Sequence, residues 1–502
     1  MTSKAFLSPA LLVVAAASVF AADIEHECST LVDLRLPDVR ITGAVSVHPE
    51  SEPGATSRHC KVTGTIGREI NFELLLPDEW NGNFFMDGGG GYVGSVTNSA
   101  ASTVDRGYAT VGTDTGHQDN GLSASWALNN AERQVNFGHL AIHRTAEVSK
   151  AVLRHYYGAQ PEYSYFFGCS RGGGQALMAA QRYPEDFDGI VSAAPAFDWT
   201  SFMAAMIQNV ELNYPDSHHV GTAVISTANL ELLEAAVLEQ CDARDGVEDG
   251  VMEDPRDCDF DLASIQACVG EDAADDCLTG AQRAAIDRIY APAKDPRKEI
   301  HPGWTFGGEG HAQGWKLWIG GPNGPMANLH FAFSTEFFKY FVYGDPDWDY
   351  SHYDFTDWEK DSRFAASFLN ATDPDLSAFR EHGGKLIAWH GWSDPALSAL
   401  QTIDYYEEAG RLDPDLSDYF RLFMLPGVLH CAGGPGPDSL DWFEVIADWV
   451  ENDNAPNRLI ASKMQDGDVV RTRPLCPYPQ RAIYRGSGSP DDAGNFRCEA
   501  PH

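Results

Sequence analysis

The chain has 502 residues, of which 43% are hydrophobic and 11% aromatic, a composition typical of a globular protein. At about 150 residues per domain, this length predicts two or more domains, or one large domain with an insertion. The formal net charge of −38, from 35 basic and 73 acidic side chains, would repel phosphate backbones and anionic lipid head groups. We therefore expect neither a nucleic-acid partner nor a membrane partner.

The first 22 residues have the layout of a secretory signal peptide. Lys4 gives a positive start, an apolar run covers residues 6–20, and Ala21 and Ala22 precede the charged Asp23. A membrane anchor is the alternative, but the run is shorter than the about 20 residues that a spanning helix needs. We expect a secreted, extracellular protein, or a periplasmic one if the source is bacterial.

Short apolar segments alternate with helical patterns through residues 23–197. Strands are predicted at residues 70–76, 83–86, 108–112, 163–168 and 190–194, and helices at residues 139–157 and 175–183. Acidic, Pro-, Gly- and aromatic-rich sequence replaces this alternation until strands resume at residues 385–389 and 420–425. The pattern predicts a mostly parallel α/β sheet in residues 23–197 and 381–502, with an inserted lid domain at residues 198–380.

Gly168-Cys169-Ser170-Arg171-Gly172 is the only G-x-S-x-G sequence of the chain, and it lies between a predicted strand and a predicted helix. The glycines permit a tight strand-to-helix turn that exposes the serine hydroxyl. We therefore predict Ser170 as a nucleophile in an α/β-hydrolase fold. An ordinary glycine-rich turn is the alternative.

A nucleophilic serine needs a base that removes its proton, and in this fold the chain order is serine, acid, histidine. Asp394 follows the predicted strand at residues 385–389, and His430 follows the strand at residues 420–425. Since α/β sheets build their sites just past strand ends, we predict Asp394 as the acid and His430 as the base. His390 competes for the role of base, but it precedes the acid and breaks this order.

Four glycines at residues 88–91 follow an early strand, where backbone N–H groups can approach a substrate closely. A phosphate-binding loop is the rival interpretation, but no Lys-Ser or Lys-Thr follows the run. We expect the N–H groups of Gly91 and Arg171 to form an oxyanion hole.

The ten cysteines are an even number, and in a secreted protein we expect them all to be paired. If Ser170 and His430 meet, their neighbours Cys169 and Cys431 also come close, and a bond between them would limit motion between base and nucleophile. Two separate buried thiols are the alternative, because sequence alone does not fix connectivity. Proximity in sequence favours four local pairs: Cys28–Cys60, Cys241–Cys258, Cys268–Cys277 and Cys476–Cys498.

The chain resembles the fungal and bacterial tannase and feruloyl esterase family, which includes bacterial mono(2-hydroxyethyl) terephthalate hydrolase. The family signature is Cys-Ser, then Asp, then His-Cys, with a disulfide joining the two half-motifs. Here these elements are Cys169-Ser170, Asp394 and His430-Cys431. The resemblance extends from the glycine run through the lid to residues 473–480, and it implies the same oxyanion donors, Gly91 and Arg171.

The resemblance also implies a structural calcium ion in the lid, at residues 241–251. Three aspartates and two turn glycines within ten residues offer hard oxygen ligands that suit Ca²⁺, although the spacing is not that of an EF-hand. The expected ligands are the carboxylates of Asp242, Asp245 and Asp249 and the backbone oxygens of Val247 and Val251.

Family members that cleave aromatic esters cover the acyl group with the lid. Around residues 331–333 we find no counterpart of the arginine that binds the free carboxylate in the terephthalate-type hydrolase, so that specificity is not expected. Asn370-Ala371-Thr372 is the single N-glycosylation sequon and fits secretion. Most of the lid aromatic residues are expected in the lid core and a few in a flat pocket: Trp315, Trp318, Phe331, Phe333, Phe337, Phe338 and Tyr340.

The sequence thus predicts a carboxylic ester hydrolase for small aromatic esters, such as those on plant cell-wall polysaccharide or tannin. We favour a feruloyl esterase. A tannase that cleaves galloyl esters is the nearer alternative, and a secreted binding protein without catalysis on the same fold is the other. The intact set Ser170, Asp394 and His430 argues against the binding protein, which has no use for an acid and a base.

Overall fold

The computed structural model describes residues 27–49, 57–269, 274–294, 298–321 and 327–501. The predicted signal peptide at residues 1–22 lies outside the described residues. In the described part of the chain, no helix combines the length and the hydropathy needed to span a bilayer.

Strands and helices alternate along most of the described chain. The strands are β1 (Val39–Val47), β2 (His59–Ile66), β3 (Ile70–Pro77), β4 (Phe84–Asp87), β5 (Ala109–Thr113), β6 (Ser164–Cys169), β7 (Gly189–Ala193), β8 (Ala293–Lys294), β9 (Glu299–His301), β10 (Lys385–Gly391), β11 (Phe420–Leu425), β12 (Leu459–Gln465), β13 (Asp468–Leu475), β14 (Arg481–Tyr484) and β15 (Phe496–Glu499). The α-helices are α1 (Ala131–Val135), α2 (Ala141–Tyr157), α3 (Arg171–Arg182), α4 (Trp199–Asn213), α5 (Thr227–Cys241), α6 (Gly280–Tyr290), α7 (Trp315–Trp318), α8 (Leu329–Phe337), α9 (Trp358–Leu369), α10 (Ser377–His382), α11 (Ala399–Leu412) and α12 (Trp442–Asn452).

A nine-stranded sheet has the order β1-β2-β3-β5-β4-β6-β7-β10-β11. The strands from β5 to β11 run parallel, whereas β1, β2 and β3 add to β5 as an antiparallel edge. The prediction of a mostly parallel α/β sheet is therefore confirmed. The antiparallel strands β1 and β2 were not predicted.

Both faces of the sheet are covered, and its central strands β7 and β10 are buried at almost every position. In β10, Leu386 and Ala388 pack with helices α2, α3 and α11 on one face. Ile387 and Trp389 point to the other face and pack with α12. This two-sided burial is typical of a parallel sheet between two helical layers.

Residues 198–380, which we call the inserted segment, connect β7 to β10. Its described residues contribute no strand to the nine-stranded sheet and form helices α4–α10 and the small hairpin β8–β9. Helix α4 is buried on almost every side and lies in the largest apolar cluster of this segment. A helix that is apolar all round forms the centre of a layer, and α5, α6, α8 and α9 surround this one.

Helix α3 begins at Arg171, four residues before the predicted helix at residues 175–183. The early start places Gly172, Gly173 and Gly174 inside a helix, although glycine disfavours helices. Tight packing explains these glycines, because a Cβ on Gly174 would lie 2.0 Å from the carbonyl oxygen of Ala196.

The four local disulfides favoured by the sequence are present in the structure: Cys28–Cys60, Cys241–Cys258, Cys268–Cys277 and Cys476–Cys498.

Candidate active site

Ser170 occupies a sharp turn between β6 and α3, with φ 61° and ψ −120°. Residues other than glycine rarely adopt a positive φ, and such strained positions cluster at functional sites. The turn is tight because a Cβ on Gly168 would lie 2.3 Å from the backbone of Gly172. The Ser170 N–H donates to the Ala193 carbonyl at 3.0 Å, which fixes the turn to β7.

Asp394 and His430 meet at the carboxyl edge of the sheet, after β10 and β11. The Nδ1 atom of His430 lies 2.8 Å from Oδ2 of Asp394. Ser170 and His430 both line one pocket. The three residues predicted as nucleophile, acid and base therefore lie at one site.

His390 makes a second contact with the acid, which the sequence reasoning missed. Its Nε2 lies 3.2 Å from the same Oδ2 atom of Asp394, and its Nδ1 lies 2.8 Å from the Thr402 hydroxyl. His390 is fully buried and is the residue before the last of β10. The chain order excluded His390 as base, but only the fold shows that it supports the acid.

Asp394 is buried, yet four hydrogen bonds stabilise its charge. Burial alone would raise the pKa of this carboxyl, but His430 and His390 beside it lower the pKa well below its usual range. The other oxygen, Oδ1, accepts the N–H groups of Ala396 at 2.8 Å and Leu397 at 3.0 Å. The carboxylate is thus ionised and fixed in orientation, as a group that orients an imidazole needs to be.

A disulfide joins the serine turn to the histidine loop. Cys169 and Cys431 are bonded, with their Cα atoms 5.9 Å apart. Cys431 adopts a positive φ of 63°, so the histidine loop also bends sharply here. Because each cysteine adjoins a predicted catalytic residue, the bond limits the separation of base and nucleophile.

The glycine run packs directly against the serine turn. A Cβ on Gly88 would lie 2.6 Å from Cα of Gly172, so this approach requires glycine. Gly91 has φ +53°, and a Cβ there would lie 2.4 Å from the Gly121 carbonyl oxygen. Gly91 lines the same pocket as Ser170 and Arg171, where the sequence places the oxyanion donors.

The pocket holds about 330 Å³, including its open mouth, and it is mostly apolar. Of the lid aromatic residues named from the sequence, Trp318 and Phe333 line it, with ring centroids 5.9 Å apart and nearly parallel planes. Trp315, Phe337 and Phe338 are instead buried in the core of the inserted segment. The sequence reasoning missed the four lining residues that α4 contributes, Trp199, Phe202, Met203 and Met206. It also missed three smaller lining residues outside α4: Ala196, Ala396 and Leu397.

The segment predicted to bind calcium forms a loop held by its own carboxylates. Asp242 accepts the Gly250 N–H at 2.9 Å, and Asp245 accepts the Val247 N–H at 3.0 Å. Asp249 pairs with Arg473 at 2.5 Å. Among the described residues, no three His, Cys, Asp or Glu side chains come together in a group that could hold a metal ion. The calcium site stays a prediction.

Asn370, the predicted glycosylation site, uses its side-chain amide inside the fold. The nitrogen donates to Asp198 and to the Thr200 hydroxyl, both at 2.9 Å. Glycosylation modifies this nitrogen and would break at least part of this pairing. The modification stays a prediction.

Comparison with known proteins links this geometry to an activity. A family model described as tannase and feruloyl esterase matches residues 55–499. Mono(2-hydroxyethyl) terephthalate hydrolase of Piscinibacter sakaiensis is 34% identical, over 93% of this chain and 90% of that protein. A probable feruloyl esterase B-1 of Aspergillus flavus is 29% identical, over 99% of this chain and 100% of that protein.

Solved structures agree with the sequence matches. Feruloyl esterase B from Aspergillus oryzae superposes with a TM-score of 0.83 at 25% identity, over 95% of this chain and 100% of that chain. The predicted α/β-hydrolase fold and the family resemblance are therefore both confirmed. The chain belongs to the tannase and feruloyl esterase family of carboxylic ester hydrolases.

Proposed function

We propose that this protein is a secreted serine esterase that cleaves aromatic acid esters, and most specifically a feruloyl esterase. His430 removes the proton of the Ser170 hydroxyl, whose oxygen attacks the ester carbonyl. The N–H groups of Gly91 and Arg171 bind the resulting oxyanion, and Asp394 orients the imidazolium. The alcohol leaves, and water then releases the aromatic acid from Ser170.

One observation carries this proposal. The hydrogen bond between His430 and Asp394 lies beside a strained serine turn, and a disulfide connects the two loops. A structural loop histidine has no need of an ionised, fully buried carboxylate or of a covalent link to a serine turn. The arrangement supports nucleophilic catalysis by Ser170.

The pocket supports an aromatic acyl group. Its wall consists mainly of aromatic and sulfur-containing side chains, among them Trp199, Met203, Trp318 and Phe333. Such a lining favours a flat, apolar ring. Relatives named as feruloyl esterases match along almost the whole chain, which supports hydroxycinnamic acids as the acyl class.

We expect methyl ferulate to be hydrolysed with a kcat/KM about 10-fold or more above that of methyl gallate. Gallate carries three ring hydroxyls, and a mostly apolar wall leaves some of them without partners, which disfavours binding. Initial rates on both esters, with methyl cinnamate as a reference without ring hydroxyls, test this order. A clear preference for gallate would establish a tannase instead.

The architecture supports secretion and a lid. Five disulfides are expected in an oxidising compartment, and they fit an extracellular protein. The inserted segment contributes Trp199, Trp318 and Phe333 to the pocket wall, so it covers the site from above the sheet. We therefore retain residues 198–380 as a lid domain between two parts of one catalytic domain.

We also propose a structural Ca²⁺ in the lid, held by Asp242, Asp245 and Asp249 with the carbonyls of Val247 and Val251. Three aspartates and two backbone carbonyls within ten residues offer the hard oxygen donors that suit this ion. Saturating Ca²⁺ is expected to raise Tm above the value measured in EDTA. At a free Ca²⁺ concentration 100 times Kd, the free energy of unfolding should increase by about 2.7 kcal/mol.

Two variants make the calcium experiment specific. Asp242→Asn should remove the difference in Tm between Ca²⁺ and EDTA, whereas Asp259→Asn, an exposed aspartate outside the loop, should keep it. Calorimetry gives Tm without reference to activity. Identical wild-type Tm values in Ca²⁺ and in EDTA would show that the loop holds no such ion.

A further inference from the structure

Gln175 connects the helix that follows the nucleophile to the glycine run at residues 88–91. Its side chain lies on α3 and is 1% exposed. The Oε1 atom of Gln175 accepts the N–H group of Gly89 at 3.1 Å. A Cβ on Gly88 would lie 2.9 Å from the same oxygen, so the glycine run passes directly against this side chain. The contact therefore joins the two segments that carry the predicted oxyanion donors.

The two predicted donors belong to separate parts of the chain. Gly91 ends the glycine run after β4, whereas Arg171 begins α3 next to Ser170. Neither backbone N–H group donates a hydrogen bond within the described part of the chain, so both remain available to a ligand. An oxyanion hole is effective because its donors are already in place before charge develops. A contact that fixes one segment relative to the other therefore bears on the rate.

Few hydrogen bonds hold the glycine run in place. The Gly88 N–H donates to the carbonyl of Phe167 at 2.8 Å, which continues the pairing of β4 with β6. The Tyr92 N–H donates to the carbonyl of Gly121, also at 2.8 Å. Between these two points, the bond from Gly89 is the one hydrogen bond that the run makes to α3 among the described residues.

We propose that Gln175 is a positioning residue for ester hydrolysis, which holds the N–H groups of Gly91 and Arg171 at the spacing that a tetrahedral oxyanion requires. The inference rests on the proposed function, since it takes these groups to bind the oxyanion formed on Ser170. Gln175 lies outside the lining of the active-site pocket as far as the structure describes that lining. Its loss should therefore weaken binding of the transition state and leave binding of the acyl group unchanged.

Gln175→Met is expected to lower kcat on methyl ferulate about 10- to 100-fold, with KM nearly unchanged, since a misplacement of about 1 Å can cost about 100-fold in rate. Methionine has nearly the same length but accepts no hydrogen bond from Gly89. The Nε2 atom of Gln175 has no hydrogen-bond partner among the described residues, so the variant removes a single hydrogen bond. Gln175→Glu keeps an acceptor oxygen and should retain kcat within about 5-fold.

A transition-state analogue distinguishes positioning from a general loss of packing. With 2-phenylethyl trifluoromethyl ketone, the Ser170 oxygen bonds to the carbonyl carbon, its proton passes to His430, and the former carbonyl oxygen becomes an oxyanion. In Gln175→Met, the Ki of this ketone should rise by the same factor as kcat/KM falls. The Ki of 3-phenylpropanamide, an uncharged ligand with the same phenylethyl group, should stay unchanged.

Gln181→Met is the matched control on the same helix. The Nε2 atom of Gln181 donates to the Ala371 carbonyl at 2.7 Å and to the Tyr405 hydroxyl at 2.9 Å, so this variant also removes amide hydrogen bonds of α3. It should keep kcat and both Ki values within about 2-fold, because neither partner belongs to the glycine run. Since a Ki reports only on folded molecules, partial unfolding of a variant does not imitate the expected result.

The outcomes are distinct. A ketone Ki within about 2-fold of the wild type in Gln175→Met would overturn the proposal, and so would an equal rise in the Ki of the amide. An equal loss of kcat in Gln175→Glu would also overturn it, because the acceptor would then not be the cause. If the wild type hydrolyses no aromatic methyl ester and does not bind the ketone, the proposed function itself fails.

Discussion

Ser170→Ala is expected to lower kcat on methyl ferulate by about 10⁵-fold, with KM nearly unchanged. The variant removes the atom that forms the acyl-enzyme, while the oxyanion donors and the aromatic pocket remain. Residual turnover should therefore come from substrate binding and the oxyanion donors. The side chain is small and the strained turn is defined by the neighbouring glycines, so the fold should persist. Initial rates and a far-UV spectrum of the purified variant check both expectations.

Covalent labelling distinguishes an esterase from a binding protein on the same fold. A fluorophosphonate probe should modify the wild type at Ser170 and leave Ser170→Ala unmodified. Ser377→Ala, at an exposed serine far along the chain, is the control and should label like the wild type. Equal labelling of wild type and Ser170→Ala, or activity retained above about 1% of wild type, would rule out Ser170 as the nucleophile.

Asp394→Asn is expected to lower kcat by about 10³- to 10⁴-fold without a comparable change in KM. In the wild type, Oδ2 accepts from His430 and from His390, and Oδ1 accepts two backbone N–H groups. In the variant, the asparagine oxygen would replace Oδ1 and accept the two backbone N–H groups, so its N–H₂ group would face His430 and His390. Because this N–H₂ group donates to Nδ1 of His430, the proton of the neutral imidazole moves to Nε2. His430 can then no longer accept the Ser170 proton.

The matched control for this variant is Asp404→Asn, which removes an exposed carboxylate on nearby α11. It should retain kcat within about 2-fold, as expected for a surface substitution away from special contacts. Steady-state kinetics of the two variants at neutral pH provide the comparison. A loss of less than about 10-fold in Asp394→Asn would mean that another group orients His430.

The parallel part of the sheet was predictable because its strands are short apolar runs followed by turns. Strands β1 and β2 were not, since Thr42, Gly43, Thr63 and Gly64 interrupt their apolar pattern. The start of α3 was also not predicted, because Gly172 and Gly173 are poor helix formers. Neighbouring backbone approaches these glycines closely, and this contact is visible only in the folded structure.

The candidate site likewise contains residues that the sequence predicts and residues that it does not. Ser170, Asp394 and His430 follow from motif, strand ends and chain order, all of which are local or linear properties. The role of His390 depends on the loop after β10 folding back onto its own strand, which no spacing rule shows. The pocket residues of α4 could not be predicted, because apolar residues lie on every face of this helix. The sequence of α4 therefore does not indicate which face lines the pocket.

The bond between Cys169 and Cys431 has a topological consequence. It spans 262 positions and closes a covalent ring that contains the entire inserted segment. If a protease cuts the chain within residues 198–380, the two fragments stay attached, and the serine and histidine loops keep their link. A nicked molecule would run as one species before reduction and as two after it.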